Sequence, residues 1–429
     1  MIKLLMIADD FTGALDTGVQ FASYGANTRV VTGPEVDLAA IAPGVEVLAV
    51  DAETRHLSAQ EAYEVVSGIV EQARELGVRY IYKKTDSALR GNIGAELTAL
   101  LEKSGRSQLV FLPAFPQMGR TTVGGVHRIK GVPVAESVFG QDPFEPVRHS
   151  RVTEVIAEQS AAAVHSCPAL KAGESIPEQE GILVFDAETP EELRSTGQRL
   201  LEADRLHIMA GCAGFGTMLP GLLGYQKREG EILPELDPRL LMVCGSVNPI
   251  TVEQMALASE NGFHHIRLSP EQKLAPDYWD TPLGKKTLEQ MENSLKREPY
   301  CIIDVNDEDG NDRMEKYARE RSIGLEELRV RIARSVGAIV GNLFTSPAVG
   351  TMLITGGDTL LHCMQYMGVR EVEPICEMAT GVVLSRFTWD GCTRYVLSKS
   401  GGFGQRSLVV DLARKLSGEG SSYRGKAVL

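Results

Sequence analysis

The chain has 429 residues, of which 43% are hydrophobic and 24% charged, a globular composition with enough length for more than one core. Its formal net charge of -13 argues against a nucleic acid or an anionic membrane surface as the main partner, since both demand clustered Lys and Arg. No apolar run reaches the roughly 18 residues of a membrane-spanning helix, and MIKLLMIADD meets Asp9 too soon for a signal peptide, so a cytoplasmic setting is expected.

Short runs rich in Val, Ile and Leu alternate with stretches of helical period, the pattern of a parallel sheet covered by helices. In chain order the first half predicts strands at IKLLMIA, TRVVT, VEVLAV, YIYKK, LVFLPA, GILVFDA and LHIMAG. Between them, SAQEAYEVVSGIVEQARELG and NIGAELTALLEKSG read as helices that close on Gly. The polar, proline-bearing QKREGEILPELDPR marks an interdomain linker, taken as 229–237, between domains at 1–228 and 238–429. A second series then follows: LLMVCGS, HHIRLS, YCIIDV, TMLITGG, EVEPICEM, VVLSRF and YVLSKSGG, with a helix at GLEELRVRIARSVGAIVGNLF. The expected fold is therefore two α/β domains with mainly parallel sheets flanked by helices.

The seven cysteines are scattered without a C-x-x-C pair, and the eight histidines show no zinc-ligand spacing. The adjacent His264 and His265 would point apart in a strand. DVNDEDGNDRMEK only superficially resembles a calcium loop, because Val305 and Lys316 fall on its first and last ligand positions when Gly310 is aligned. Metal ligands are thus left unassigned.

Ligands of open α/β sheets bind beyond the carboxyl ends of the strands. In the first domain those ends carry Asp9 and Asp10, then Asp51, Thr54, Arg55 and His56, then Lys83, Lys84, Thr85, Asp86, Ser87, Arg90 and Asn92. Carboxylates and cations together suit a small, anionic, hydroxylated molecule. Arg55, Arg90 and one lysine can hold a carboxylate, while Asp9 or Asp10 accepts from a hydroxyl or takes its proton. One aspartate can instead cap the helix that follows. Of Lys83 and Lys84, neighbours on a strand, one enters the site and the other is expected to be solvated. LPAFPQMGRTTVGGVHRIKGVPVAES reads either as a lid over the site or as a two-stranded excursion, giving His127 and Arg128 little weight.

The second domain offers glycine where the first offers charge. CGSVNPIT, ITGGDT and SKSGGFGQRS each follow a strand, so their amides can approach phosphate oxygens. Neither a Walker loop nor a full dinucleotide fingerprint is present.

Taken together, ADDFTGALDTG, YKKTDSALRGNIGAEL, LPAFPQMGRTT, CGSVNPIT, ITGGDT and SKSGGFG resemble the four-carbon acid sugar kinases over nearly the whole chain. The resemblance implies a sugar-acid-binding amino-terminal domain, an ATP-binding carboxy-terminal domain and an active site in the cleft between them. It implies transfer of the γ-phosphate of ATP, with Mg²⁺, to the terminal (4-) hydroxyl of the acid. D-threonate or D-erythronate is expected before a 3-oxo acid, because of the continuation DTGVQFASYG. It places substrate contacts at Asp9, Asp10, Arg55, Lys84, Thr85, Asp86, Ser87 and Arg90, with Asp10 the expected base and Asp9 and Asp86 its rivals. Nucleotide contacts fall at Ser246, Thr355, Gly356, Gly357, Asp358, Gly401, Gly402, Phe403 and Gly404. A homo-oligomer is compatible with this reading. Two other readings stay open: a lyase or aldolase forming a Schiff base through Lys83 or Lys84, and a non-catalytic sugar-acid sensor.

Overall fold

The computed structural model describes residues 2–33, 35–41, 43–142, 146–227, 233–307 and 312–418. The chain divides into two compact units, Met1–Glu229 and Gly230–Leu429. Residues 229–232 of the expected linker and 308–311 of the calcium-like loop lie outside the described residues. Among the described residues no helix is long and apolar enough to cross a membrane.

The first unit contains β1 (Leu4–Ala8), β2 (Thr28–Thr32), β3 (Val47–Asp51), β4 (Tyr80–Lys84), β5 (Gln108–Leu112), β6 (Arg120–Val123), β7 (Val126–Ile129), β8 (Val132–Pro133), β9 (Val164–Cys167), β10 (Gly181–Phe185) and β11 (Ile208–Gly211). Eight of these make a parallel sheet in the order β2-β3-β1-β4-β11-β5-β10-β9. Every residue of β1, β3 and β10 is buried, as expected when helices cover both faces. On one face Leu5, Ile7, Leu48 and Val50 pack with Val66, Ile69 and Val70 of α2 (Ala59–Glu75) and with Leu97 and Leu100 of α3 (Ile93–Ser104). Ser58 and Glu61 cap the start of α2 reciprocally, and Gly105, at φ +72°, ends α3.

The segment after β5 has one strand more than the two-stranded excursion expected from sequence: it is a three-stranded antiparallel meander, β6-β7-β8. Both of its tight turns, Gly124-Gly125 (φ +59° and +73°) and Lys130-Gly131 (φ +50° and +84°), have the two left-handed residues of a type I′ hairpin. The meander is tied down: the amides of Gly124 and Gly125 donate to the Asp186 carboxylate at 2.8 and 2.9 Å.

The second unit contains β12 (Leu240–Cys244), β13 (His264–Arg267), β14 (Tyr300–Asp304), β15 (Thr351–Thr355), β16 (Glu371–Ala379), β17 (Val382–Trp389) and β18 (Cys392–Lys399). Its order is β13-β14-β12-β15-β18-β17-β16, parallel as far as β18 and antiparallel beyond. No helix intervenes between β16 and β18, so these three strands run as a meander, with Asp390-Gly391 (φ +48° and +71°) as the last hairpin turn. Leu240, Met242, Ile302, Leu353 and Leu397 build its core with Val409 and Leu412.

Close packing of α3 against α4 (Val152–Ala157) makes Gly94 a critical contact, since a Cβ there would stand 2.2 Å from the Ile156 carbonyl oxygen. Gly94→Ala should lose about 1–3 kcal/mol of stability through overpacking. A melting temperature equal to that of the unaltered chain would refute the contact.

Candidate active site

The register of the central strands sets Ala8 beside both Asp51 and Lys84, so the chain leaves β1, β3 and β4 at one level. Asp10 opens α1 (Phe11–Ser23), its Oδ1 accepting from the Gly13 amide at 2.7 Å. The cap role is therefore real, and it belongs to Asp10. Asp9 lies just inside it, 2% exposed. One guanidinium serves both: Arg55 donates from Nε (2.8 Å) and Nη2 (2.7 Å) to Asp9 Oδ2, and its Nη1 lies 2.7 Å from Asp10 Oδ2. Its Nη2 also comes within 3.8 Å of Asp86 Oδ1. Burial opposes the charge on Asp10, yet Arg55, Lys84 and the Gly13 amide outweigh it and lower its pKa. Burial likewise opposes the charge of Arg55, and Asp10 and Asp9 hold it well above its ordinary value. Asp51, without such a cation, is pushed well above the usual carboxylate range by burial and then by Glu53 and Asp10.

The two lysines correct the expectation that one would be solvated. Lys83 is wholly buried and Lys84 is 6% exposed. They still point to opposite faces. Lys83 Nζ lies 3.2 Å from Glu96 Oε2 on α3, and Glu96 also accepts from the Thr54 hydroxyl. Lys84 Nζ instead reaches the start of α1, where a Cβ on Gly13 would stand 2.7 Å from it and 2.6 Å from Asp10 Oδ1. The absence of a side chain at Gly13 is what lets Asp10 and Lys84 share that space. Lys84 is thus the lysine beside the Asp9, Asp10 and Arg55 cluster.

After β4 the loop 85–92 is wound around Asp86. Arg90 forks onto it, Nε to Oδ2 at 3.1 Å and Nη2 to Oδ1 at 2.9 Å, and the Ala88 amide adds a bond of 2.9 Å. Burial resists ionisation here too, but Arg90 and then Arg55 hold Asp86 well below the usual carboxylate range. The winding holds buried Leu89 at φ +64°, which costs a branched residue about 1–2 kcal/mol. Asn92 donates to the carbonyls of Thr54 (2.9 Å) and Leu57 (2.8 Å), which fixes the loop that carries Arg55. Thr85 is buried with its hydroxyl unpartnered among the described residues. His56 is exposed and outside the cluster.

Two residues of the meander reach this loop. His127 Nε2 meets the Ser87 carbonyl at 3.0 Å and Nδ1 meets Thr122 Oγ1 at 3.0 Å. Burial lowers the His127 pKa to about 4, so the ring is neutral at pH 7, with Nε2–H donating to the carbonyl and the threonine hydroxyl donating to Nδ1. Arg120 donates to the Ser87 hydroxyl. Sequence reading missed Arg120 and Glu96, and no local pattern flags either.

In the second unit three loops converge at the ends of β12, β15 and β18. Gly245 and Gly401 allow close approach: a Cβ at the first would stand 1.7 Å from Thr359 Oγ1, and at the second 2.7 Å from Ser246 Oγ. Gly356 (φ +103°) and Gly404 (φ +87°) take conformations open to glycine. The carbonyls of the last loop are gripped by side chains. Lys399 Nζ donates to Ser400 (2.9 Å) and Gly401 (3.2 Å), Thr251 Oγ1 to Gly401 (2.8 Å), and Gln254 Nε2 to Phe403 (3.1 Å) and Gln405 (2.8 Å). Burial lowers the Lys399 pKa to about 8. The Thr355 hydroxyl is buried without a partner among the described residues, and Gly357 and Asp358 open the helix Gly357–Tyr366. Gly402 lies beside Asn248.

A charged cluster on one α/β unit and glycine loops on the other define a protein that handles a small acid and a phosphate-bearing ligand. The family models agree: one described as a sugar-binding N-terminal domain matches residues 4–219, and one described as a nucleotide-binding C-terminal domain matches residues 241–409. The chain is similar to a D-threonate kinase of Salmonella typhimurium, 29% identical over 96% of this chain and 97% of that protein. It is 26% identical to a D-erythronate kinase of Heliobacterium modesticaldum (87% of each) and 26% identical to a 3-oxo-tetronate kinase of Burkholderia multivorans (96% and 97%). A crystal structure from Salmonella typhimurium described as a putative tRNA synthase shares the fold, with a TM-score of 0.76 and 21% identity over 97% of this chain and 100% of the other. The chain belongs to the four-carbon acid sugar kinase family.

The Asp86 shift sets a pH signature. A carboxyl whose folded pKa is depressed contributes stability that is fully present above its unfolded pKa, about 3.9, and is lost as pH falls through the folded value. Asp86→Asn should therefore be about 3–5 kcal/mol less stable at pH 7, the cost of breaking a buried pair. Denaturant midpoints should show that gap to be constant above about pH 5 and to narrow below about pH 4. A gap that widens on acidification would disprove the pairing.

Proposed function

We propose that this protein is an ATP-dependent kinase, acting in the cytoplasm, that phosphorylates the terminal hydroxyl of D-threonate or D-erythronate. The observation that carries the reading is the pairing of two unlike sites on one chain, a balanced Asp/Arg cluster at 9–10, 55 and 84–90 and carbonyl-gripped glycine loops at 245–246, 355–358 and 401–404. Family membership and the names of its relatives support it. A Schiff-base lyase would leave those loops without a purpose, and Lys83 is already committed to Glu96.

In this reading Asp9, Asp10 and Asp86 face the acid's hydroxyls, Lys84, Thr85 and Ser87 line the acid site, and Arg55 and Arg90 keep the aspartates in place. Asp10 has both oxygens engaged, by Gly13 and by Arg55, so as the proposed base it orients the hydroxyl and receives its proton late. Asp9 Oδ1 is buried and has no partner among the described residues, so Asp9 offers the open acceptor for a neighbouring hydroxyl. Ser246, Thr355, Gly356, Gly357, Asp358, Gly401, Gly402, Phe403 and Gly404 receive the nucleotide, amides to phosphate. Mg²⁺ supplies charge neutralisation when bound with ATP. The carboxylate these loops would offer it is Asp358, whose Oδ2 lies 3.0 Å from Arg329 Nη2. Transfer requires the acid's hydroxyl and the γ-phosphate to meet, and closure that excludes water would serve it.

ADP release with Mg²⁺ and ATP, measured across D- and L-threonate, D- and L-erythronate and the 3-oxo acids, tests the function. One strong acceptor that gains the mass of a phosphoryl group is expected. ATP-only background with every acid would sink the proposal. For the nucleotide loops, Gln254→Leu frees two carbonyls and should raise the KM for ATP about tenfold while that for the acid stays within about twofold.

A further inference from the structure

We propose that Arg120, delivered by the meander, is the residue that binds the carboxylate of the acid, and that Arg55 and Arg90 hold the aspartates instead. The inference rests on the kinase reading and assigns the anchor within its acid site.

Charge accounting singles out Arg120. Arg55 touches Asp9 and Asp10 at 2.7–2.8 Å, and Arg90 forks onto Asp86, so both guanidinia have their charge met by carboxylates. Lys84 stands against Asp10, which its charge helps to keep ionised. Arg120, half-buried, forms no ion pair among the described residues: it donates to the Ser87 hydroxyl, and its guanidinium lies 5.6 Å from the centre of the Phe139 ring. Its field still reaches the cluster, since it contributes to the low pKa of Asp86. A planar fork with no carboxylate bonded to it among the described residues, beside three aspartates already matched, is what an aldonate of charge minus one requires.

The residue is also held in place. Gly119, at φ +67°, turns the chain into β6, and Arg120 and Phe115 exchange backbone hydrogen bonds of 2.7 and 3.1 Å. The neutral His127 ring pins β7 to the Ser87 carbonyl, one residue from Asp86. Phe139 lies between the two guanidinia, 5.2 Å from Arg90 and 5.6 Å from Arg120, so its ring keeps them in a fixed relation. Ser87 and Asp10 lie in the loops that follow β4 and β1, neighbouring parallel strands whose ends stand level at Ala8 and Lys84, so both loops open at one end of the sheet. With its carboxylate at Arg120 and Ser87, a four-carbon acid spans toward Asp9 and Asp10 and presents its far hydroxyl there.

The test compares Arg120→Gln, Arg120→Lys and Arg90→Gln with the unaltered enzyme, using the preferred acid and its neutral amide as acceptors. Arg120→Gln should raise the KM for the acid at least 100-fold, leave the KM for ATP within about threefold and abolish most of the preference for acid over amide. Arg120→Lys, which restores charge without the fork, should recover part of that preference. Arg90→Gln should weaken acid and amide alike, because it frees Asp86. If Arg120→Gln keeps the acid KM within fivefold, or loses acid and amide equally, the assignment is wrong. If the unaltered enzyme phosphorylates no sugar acid at all, the kinase reading fails first and takes the assignment with it. Matching melting curves for Arg120→Lys and the unaltered enzyme separate a binding defect from misfolding.

Discussion

Two adjacent carboxylates at the end of a buried strand repel each other, and the first unit is arranged around that repulsion. Arg55 resolves it by bonding to both, and the position of Arg55 is in turn set from below. Asn92 holds the carbonyls on either side of it, at Thr54 and Leu57, while the Thr54 hydroxyl binds Glu96, which faces Lys83. Buried ion pairs of this kind gain little net stability over well-packed apolar residues, because desolvation offsets the attraction. Their effect is geometric. They fix where Asp9, Asp10 and Asp86 stand relative to one another, which is what positioning a hydroxyl for phosphoryl transfer demands.

Much of this was legible in the sequence, and the reason is periodicity. The apolar runs of β1, β3, β4, β12, β15 and β18 gave their strands, and a strand end is where polar residues gain meaning. What could not be read was partnership across space. Alternation along a strand correctly sent Lys83 and Lys84 to opposite faces, but it could not show that a glutamate waited on the far side. Glu96 sits among Ile93, Leu97 and Leu100 on α3 and has the look of an ordinary helical charge until the helix is laid on the sheet. Arg120 was hidden for the same reason, since only the folded meander brings it to Ser87.

The antiparallel pairing of the meanders was less legible than their strands. Gly124-Gly125, Lys130-Gly131 and Asp390-Gly391 are dipeptides of the sort that build type I′ turns, and all three pairs have positive φ at both residues. The turn chemistry was present in the sequence, but a Gly-containing dipeptide after a strand serves a hairpin and a loop alike. In the second unit the glycines were visible, while the side chains that orient their loops were not. Lys399, Thr251 and Gln254 act on carbonyl oxygens, and a carbonyl leaves no trace in a residue pattern.

Under the proposed assignment the two units recognise their ligands by different physics, and this bears on how such an enzyme would change its acceptor. Backbone amides in glycine loops read a phosphate through geometry that most side-chain substitutions leave intact. The acid site reads through side chains whose charges are balanced in pairs, so altering one member leaves its partner buried and unmatched. Arg120 stands outside those pairs, on a meander whose turns and anchors are separate from the strands. A change there would alter how the common carboxylate is held without disturbing the aspartates proposed to meet the hydroxyls, so discrimination among four-carbon acids would fall to the aspartate end of the site.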